Sequence, residues 1–206
     1  MDNLTIAIAK GRIEKDIYRR LEALNMEKWI DRDSRKLIFT DEENHITYIH
    51  VKPSDVVEKG VADLGIVGKD TILENENESE VYELYDLGFG KCKFSVAGMK
   101  GKKDKYLTSE NLKVATKYPV IAKNFFKSRG QKIDIIKLNG SVELGPIVGL
   151  SDVIVDLVET GNTIKANGLE VYEDLFDIAD KYMYKVSGGN IRYRYAKAVL
   201  MSRKTD

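Results

Sequence analysis

The sequence contains few of the residues that build disulfide frameworks and metal sites. Of its 206 residues, one is a cysteine and two are histidines. The single cysteine, Cys92, excludes an internal disulfide framework and favours a reducing compartment. His45 and His50 lie on a strand-like segment, on opposite faces if it is extended, which is poor geometry for a shared metal ion. The sequence contains no zinc-ligand cluster, Ser-His-Asp set or dinucleotide fingerprint.

The sequence also lacks an excess of charge of either sign and any long hydrophobic run. Lysine plus arginine number 33, as do aspartate plus glutamate. This balance argues against a general nucleic-acid binder, whose affinity would depend on a basic surface. No apolar run approaches the ~20 residues that span a bilayer, and the first residues lack the basic start and apolar core of a signal peptide. We therefore expect a soluble cytoplasmic protein that binds neither nucleic acid nor membranes.

Short apolar runs alternate with helical patterns along the chain. The strand pattern of residues 4–9 leads into a helical pattern at residues 13–25, and that of residues 113–116 leads into one at residues 119–129. Such alternation predicts an α/β fold with parallel sheets. Residues 74–83 are rich in asparagine and glutamate and are interpreted as a solvated loop.

Two such series are present, and the glycines of residues 88–90 are the best candidate for a hinge between them. We therefore predict two α/β lobes that face a cleft. The first lobe is expected to comprise residues 1–90 together with approximately residues 180–206, and the second residues 91–179.

Residues 152–163 are the most informative stretch of the sequence. They predict a buried strand that ends on Asp156, a small polar turn and the start of a helix. Unpartnered N–H groups at a helix start favour an anion. Thr160 and Thr163 add hydroxyl donors, and Gly161 allows close approach to the backbone. The pattern alone leaves a phosphate site and a plain turn open. Asp156 favours a phosphosugar, because a carboxylate can accept the hydroxyl groups of a sugar.

Four further loops follow predicted strands, where α/β proteins bind their ligands. In the first of them, Lys10 and Arg12 flank Gly11, and two cations there suit a polyphosphate. A solvated turn is the alternative. The second loop, at residues 64–70, is glycine-rich but lacks the spacing of a Walker A loop, so a packing turn is its simplest interpretation.

The remaining two loops carry a mixture of polar and aromatic residues. Thr116 is a candidate helix cap, Lys117 a candidate contact for an anion, and Tyr118 a candidate for stacking on a base. An ordinary capped helix explains this segment equally well. In the last loop, Glu143 is either a capping carboxylate or an acceptor for a ligand amine or hydroxyl group.

Taken in order, these segments resemble the ATP phosphoribosyltransferase family. The matching segments are residues 6–12, 63–70, 86–92, 114–119, 139–152 and 156–169. The resemblance implies a two-lobed fold like that of the type II periplasmic binding proteins, with a central sheet in each lobe and an active-site cleft between the lobes. It also implies the reaction, in which N1 of the ATP adenine attacks C1 of phosphoribosyl pyrophosphate and pyrophosphate leaves with the assistance of Mg²⁺. Which residues contact Mg²⁺ stays open.

The resemblance implies roles for individual residues. The residues expected to bind phosphoribosyl pyrophosphate are Asp152, Asp156, Glu159, Thr160, Gly161, Asn162 and Thr163. Those expected on the ATP or pyrophosphate side are Lys10, Gly11, Arg12, Asp70, Thr116, Lys117 and Tyr118. The catalytic candidates are Lys10, Arg12, Glu143 and Asp156. No residue needs to act as a covalent nucleophile, because aligned positive charge suffices to assist a leaving pyrophosphate.

The length of the chain resembles the short form of the family, which works with a separate regulatory subunit related to histidyl-tRNA synthetase, commonly in a hetero-octamer. Ala9 and Gly145 depart from the usual family residues, which are proline and alanine. Residues 182–206 match the family poorly, so no functional residue is transferred from them. Two alternatives remain: a small-anion-binding module of the same fold without chemistry, and a phosphoribosyltransferase for another base.

Overall fold

The chain divides into two compact units. The first contains Met1–Ile72, Asn77–Gly90 and Asp180–Asp206, and the second contains Leu73–Glu76 and Lys91–Ala179. The structure, a computed structural model, describes residues 3–10, 14–23, 34–51, 61–75, 81–87, 92–178 and 181–186, with the backbone alone for 81–86 and 181–186. The predicted hinge at residues 88–90 lies outside the described residues. No helix in the described part has the length and apolar character needed to cross a membrane.

The first unit is built on a six-stranded sheet. Its elements are β1 (Leu4–Ile8), α1 (Glu14–Ala23), β2 (Ile38–Asp41), β3 (Ile46–His50), β4 (Leu64–Gly68), α2 (Lys69–Leu73), whose last residue belongs to the second unit, β5 (Val81–Asp86) and β11 (Lys181–Val186). The strand order is β2-β3-β1-β4-β11-β5. Strand β1 pairs in parallel with β3 and β4. Ile17 and Leu21 of α1 are buried in the same cluster as Ile6 and Ile8 of β1, so this helix covers one face of the sheet.

The second unit is built on a five-stranded sheet. Its elements are β6 (Cys92–Met99), α3 (Lys103–Thr108), β7 (Asn111–Thr116), α4 (Pro119–Ser128), β8 (Lys132–Lys137), α5 (Leu144–Ile147), β9 (Val153–Val158), α6 (Asn162–Ala166) and β10 (Leu169–Ile178). The strand order is β10-β6-β9-β7-β8, in which β7 pairs in parallel with β8 and β9.

Both faces of the second sheet are buried. Val153 and Val155 of β9 join Phe126 of α4 in one cluster, whereas Ile154 joins Ile164 of α6 in another. Successive side chains of a strand point to opposite faces. The nearly continuous apolar sequence of β9 therefore reflects helices on both sides, as is typical of parallel strands.

The sheets are mixed, so the prediction of parallel sheets is wrong for three strands, β2, β6 and β11, which run opposite to the remaining strands of their sheets. Strand β2 pairs antiparallel with β3, β11 with β4 and β5, and β6 with β9 and β10. Between β2 and β3 the Asp41 carboxylate accepts hydrogen bonds from the backbone and side-chain N–H groups of Asn44, at 2.9 and 2.7 Å. This tight turn allows only antiparallel pairing. His45 lies in the turn with a φ of +54°, not on the predicted strand. Strands β6 and β11 are each the first strand after the chain passes from one unit to the other. No crossover helix within the unit precedes them, so nothing requires them to run parallel to their neighbours.

Two further segments differ from the sequence interpretation. Helix α3 was not predicted, because Tyr106 is its only buried residue and the rest of its sequence is polar or exposed. The start of the segment interpreted as a solvated loop, residues 74–83, is bonded to a helix, because the Glu74 carboxylate accepts hydrogen bonds from the N–H groups of Val120 and Ile121. At the end of this segment, the strand that the sequence predicts over residues 81–87 is confirmed as β5, which begins at Val81.

Gly145 lies against two side chains that leave no room for a methyl group. A Cβ added there would lie 2.5 Å from the Ser151 Oγ and 2.8 Å from the Ala115 Cβ. We expect Gly145→Ala to lower the free energy of unfolding by about 1–3 kcal/mol, as measured by urea denaturation. Gly145→Ala with Ser151→Ala should recover part of this loss, since the nearest atom is then absent.

Gly140→Ala is the matched control, because a Cβ added at Gly140 meets nothing within 4 Å. It should leave the denaturation midpoint nearly unchanged. Equal midpoints for the two alanine variants would contradict the steric explanation.

Candidate active site

Three loops lie side by side at one edge of the second unit's sheet. Strands β8, β7 and β9 are adjacent and parallel, and Thr116 lies opposite both Lys137 and Val155. The carboxyl ends of adjacent parallel strands meet at the same edge, which is where α/β proteins bind ligands. The loops that follow these strands contain residues 117–118, 139–143 and 159–163. The prediction that the candidate residues of these loops follow strand ends is confirmed.

The loop after β9 exposes its polar side chains. Glu159, Thr160 and Thr163 are exposed, and the Thr160 hydroxyl accepts a long hydrogen bond of 3.4 Å from the N–H of Asn162. Gly161 has a φ of +72°, in the left-handed region that favours glycine. The loop therefore presents two threonine hydroxyl groups at a sharp turn of the backbone, which is the arrangement predicted for an anion site.

Asp156 lies within β9, because the strand continues two residues beyond the predicted end, to Val158. It is half-buried and lies opposite Ser95 of β6. The alternation of side chains along a strand puts Asp156 on the same face as Ile154, which packs against Ile164 of α6. Its carboxylate is thus on the face of the sheet that carries the helix following the loop.

Asp152 lies at the opposite edge of the sheet from the loop after β9, which contradicts the expectation that it binds phosphoribosyl pyrophosphate together with Asp156. It precedes β9, four residues before Asp156, and four residues of a strand span about 13 Å. Its carboxylate accepts hydrogen bonds from the Lys105 Nζ at 2.5 Å and from the backbone N–H of Lys113 at 2.9 Å. Asp152 therefore fastens α3 and the start of β7 to the start of β9, which is a structural role.

Thr116 and Tyr118 are also built into the framework of the second unit. Thr116 is fully buried; its hydroxyl group donates to the Val155 carbonyl at 2.7 Å and accepts from the N–H of Tyr118 at 2.8 Å. The Tyr118 ring is buried edge-on against Phe94, with the ring centroids 4.9 Å apart. The predicted stacking of Tyr118 on a base, and a ligand contact by the Thr116 hydroxyl, are therefore contradicted, because both groups are occupied inside the unit.

Lys117 lies between these two buried residues and is itself exposed. Its Nζ is 5.6 Å from the centroid of the Tyr118 ring, within the range of a cation–π contact. Strand β7 pairs directly with β9, so Lys117 follows the strand beside the one that leads to Thr160. A cation is thus held at the edge that carries the candidate phosphate loop.

Glu143 occupies the N-cap position of α5 but makes no capping hydrogen bond through its side chain. The capping interpretation is therefore wrong. Its backbone is already helical, with φ of −57° and ψ of −27°, whereas a capping residue normally has an extended backbone. Ser141, two residues earlier, has a φ of +49°, which is rare for a residue other than glycine. The interpretation of Glu143 as a ligand acceptor stays a prediction.

In the first unit, two predicted residues share one edge of the sheet. Lys10 follows β1 and Asp70 follows β4, and these strands are adjacent and parallel. The Asp70 carboxylate folds back over Gly68, where an added Cβ would lie 2.0 Å from its Oδ1. A side chain at that position would require the Asp70 carboxylate to move. Gly11 and Arg12 lie outside the described residues.

A buried polar cluster lies beside Lys10 that the sequence did not identify as a unit. The Tyr18 hydroxyl group is 3.1 Å from the Glu14 Oε1 and 3.2 Å from the His50 Nδ1. Burial lowers the pKa of His50; the Glu14 carboxylate opposes this shift, and the charge of Lys10 adds to it. His50 ends β3 opposite Ile8 of β1. The register of these strands, which the sequence does not contain, is what brings the cluster together.

The role of Asp152 has a consequence for acid stability. Burial raises the pKa of this carboxyl group, but hydrogen bonds from Lys105 and from the Lys113 N–H together lower it below its ordinary value. A depressed pKa contributes stability above the unfolded-state pKa of about 3.9, and this stability is lost as the pH falls through the folded-state pKa. Asp152→Asn should therefore lower the unfolding free energy by about 1–2 kcal/mol at neutral pH.

Urea denaturation at pH 7 and at pH 3 checks this expectation, and the difference between Asp152→Asn and the unaltered chain should shrink at the lower pH. Asp104→Asn is the control, because Asp104 is an exposed residue of α3 in the same unit. An equal loss of unfolding free energy at both pH values would contradict the proposed link between the lowered pKa of Asp152 and stability.

Comparison with known proteins shows the family of the chain. The family model HisG: ATP phosphoribosyltransferase matches residues 53–193. An ATP phosphoribosyltransferase of Clostridioides difficile (strain 630) is 63% identical over 203 residues, covering 97% of this chain and 96% of the relative. One from Oceanobacillus iheyensis is 52% identical over 186 residues, covering 88% of this chain and 87% of the relative.

Solved structures extend the comparison to the fold. The ATP phosphoribosyl transferase (HisG:HisZ) complex from Thermotoga maritima matches with a TM-score of 0.78 and 30% identity, over 97% of this chain and 94% of that chain. The BvgS VFT2 domain of Bordetella pertussis is 12% identical and matches with a TM-score of 0.58, over 97% of this chain and 87% of that domain. At this identity the similarity shows the fold alone. The predicted two-lobed α/β fold of the type II periplasmic binding proteins is confirmed. The chain belongs to the ATP phosphoribosyltransferase family, the enzymes of the first step of histidine biosynthesis.

Proposed function

We propose that the chain transfers the 5-phosphoribosyl group of phosphoribosyl pyrophosphate to N1 of the ATP adenine, and that the second unit binds the phosphoribosyl donor. The observation that carries the proposal is the adjacency of β7 and β9. It brings the exposed Lys117 and the threonine loop of residues 159–163 to the same edge of one sheet. A phosphosugar diphosphate carries anionic groups at both ends, so neighbouring loops of this kind suit it.

The threonine loop suits the 5-phosphate end of the donor. Thr160 and Thr163 are exposed hydroxyl donors, and the left-handed Gly161 between them lets a phosphate approach backbone N–H groups without a Cβ in the way. Asn162 and Glu159 complete the loop. Asp156, on the face that α6 covers, is assigned to the ribose hydroxyl groups, which a carboxylate accepts well.

The departing pyrophosphate needs positive charge. As the bond from C1 to pyrophosphate breaks, the ribose gains oxocarbenium character and the leaving group gains negative charge. Lys117 is assigned to that charge, because a preorganised cation stabilises a developing anion without reorganising at the moment of reaction. Glu143 is assigned to the neighbouring loop as an acceptor. A protein group need not remove a proton from the nucleophile, because N1 of the adenine attacks with its own lone pair.

The first unit is assigned to ATP. Lys10, at the end of β1, and Asp70, after β4, lie at one edge of its sheet. Gly11 and Arg12, which directly follow Lys10 in the sequence, are assigned to the same polyphosphate. An arginine fork and a lysine next to a glycine suit the closely spaced oxygens of a triphosphate.

The donor set fits a Mg²⁺ ion that is bound largely by substrate. Mg²⁺ commonly keeps several waters and uses one or two carboxylates together with substrate phosphates. In the part of the chain that the structure describes, no group of three or more His, Cys, Asp or Glu side chains could hold a metal ion. Asp156, which we assign to the ribose hydroxyl groups, is the carboxylate that would also hold such an ion. When bound with pyrophosphate, Mg²⁺ would supply charge neutralisation for the leaving group.

A separate regulatory subunit is the proposed partner. The solved relative from Thermotoga maritima, whose chain matches this one over 94% of its length, is a complex named HisG:HisZ. By that similarity we propose a hetero-oligomer with a subunit related to histidyl-tRNA synthetase. The octameric stoichiometry and the cytoplasmic location expected from the sequence stay predictions.

The function is tested by following phosphoribosyl-ATP through its absorbance, with the chain alone and with its co-purifying subunit. Product should form only when ATP, phosphoribosyl pyrophosphate and Mg²⁺ are all present. Replacing ATP with adenine should give none, which separates this activity from that of a phosphoribosyltransferase for a free base. Binding of phosphoribosyl pyrophosphate without turnover under every condition would instead identify a binding module.

The threonine loop is tested by changing Thr160 and Thr163 to valine. Each charge-assisted hydrogen bond to a phosphate contributes about 1.5–3 kcal/mol, so the double variant should raise the KM for phosphoribosyl pyrophosphate by about a hundredfold or more and leave the KM for ATP within about twofold. Thr108→Val is the matched control, because Thr108 is exposed and ends α3, before the amino end of β7. Equal changes in both KM values would mean that the loop is only structural.

A further inference from the structure

Glu74 caps a helix from a distant part of the sequence. Its carboxylate accepts hydrogen bonds from the N–H of Val120, at 3.1 Å to each oxygen, and from the N–H of Ile121 at 3.2 Å. These N–H groups belong to the first turn of α4, where no carbonyl within the helix can reach them. The residue at the N-cap position, Tyr118, makes no capping bond through its side chain. The helix start therefore depends on a residue 46 positions earlier in the chain.

Glu74 lies where the chain passes from the first unit into the second. Helix α2 begins at Lys69 in the first unit, and the segment Leu73–Glu76 belongs to the second. Glu74 is four positions after Asp70, a candidate residue of the ATP side. The three hydrogen bonds thus fasten the end of this connection to the second unit at one defined point, the first turn of α4.

The same turn follows Lys117 directly. On the strand side, Lys117 is preceded by Thr116, whose hydroxyl group is bonded to Val155 of β9. On the helix side it is followed by Tyr118 and then by Pro119, the first residue of α4. The backbone at Lys117 is therefore held at two ends, by a strand and by a helix start, and Glu74 fixes the second of them.

We propose that Glu74 is a positioning residue for phosphoribosyl transfer, which fixes the first turn of α4 and through it holds the Lys117 ammonium group at the departing pyrophosphate. This inference rests on the function proposed above for Lys117. The proposed role of Glu74 is indirect, because its carboxylate binds the N–H groups of Val120 and Ile121. A displacement of about 1 Å in a group that aligns the reaction can cost about a hundredfold in rate, so a loosened helix start should reduce turnover while the chain stays folded.

Glu74→Ala in the full-length chain, assayed with its partner at 25 °C, should lower kcat by about tenfold or more. Glu74→Gln keeps one acceptor oxygen and should give an intermediate kcat. Hydrogen exchange at the Val120 and Ile121 amides should accelerate in the order glutamate, glutamine, alanine. Glu74→Gln also keeps the test possible if Glu74→Ala does not fold, because its kcat and amide exchange can be compared directly with those of the unaltered chain.

Glu173→Gln is the matched control. Glu173 binds the Arg129 guanidinium group in a bidentate pair, and Arg129 is the C-cap of the same helix. The ten residues of α4 extend about 15 Å, so this change loosens the end that is remote from Lys117. It should lower the Tm as the Glu74 variants do, yet leave kcat within about twofold. Equal losses of kcat in the Glu173 and Glu74 variants would reduce Glu74 to a structural role and overturn the inference.

A double-variant cycle with Lys117→Ala separates this inference from the proposed function. If Glu74 acts through Lys117, Glu74→Ala should have little further effect on kcat when Lys117 is already alanine. A normal kcat in Lys117→Ala alone would overturn the role proposed for Lys117. A low kcat in Lys117→Ala with a normal kcat in Glu74→Ala would overturn the inference about Glu74 and leave the proposed function intact.

Discussion

The parallel pairing of β7 with β8 and β9 is the constraint on which the candidate site of the second unit depends. A parallel register brings the carboxyl ends of neighbouring strands to one edge, and each of these strands is followed by a loop with polar residues. Antiparallel pairing would send the loop after β9 to the opposite edge from Lys117. The helices on both faces make that register strongly specified, because a slip of one residue would exchange the residues of the two buried clusters.

Buried polar contacts then fix the exposed residues of this edge. Thr116 ties β7 to β9 through its hydroxyl group, Tyr118 is packed into the core, and Glu74 holds the first turn of α4. Lys117 is the exposed residue among them. A lysine side chain loses much rotamer freedom on binding, so a fixed backbone is the part of its position that the protein can preorganise. The buried residues Thr116 and Tyr118, together with Glu74, are thus needed to position the exposed Lys117.

The sequence predicted where the strands end because apolar runs bounded by polar turns carry that information locally. It could not predict which polar groups turn inward. Asp152 and Asp156 belong to the same apolar stretch, but the contacts of Asp152 with Lys105 and with the Lys113 N–H join elements that are distant in the sequence, and no local pattern encodes them. Tyr118 follows a strand in the manner of a ligand contact, yet the neighbouring Phe94 buries it. The partner of Glu74 is 46 residues away, and no local pattern encodes such a contact.

The charges of the loops in the second unit indicate which residues act on substrate binding and which act on the rate of the chemical step. In the proposed assignment the 5-phosphate meets hydroxyl and N–H donors, since the loop of residues 159–163 contains no cation and one carboxylate, Glu159. The charge of that phosphate does not change during the reaction, so neutral donors bind substrate and transition state equally and act mainly on KM. The pyrophosphate gains charge as it departs, and there the assigned group is Lys117. A cation at that position stabilises the transition state more than the bound substrate, which is the condition for an interaction to raise kcat.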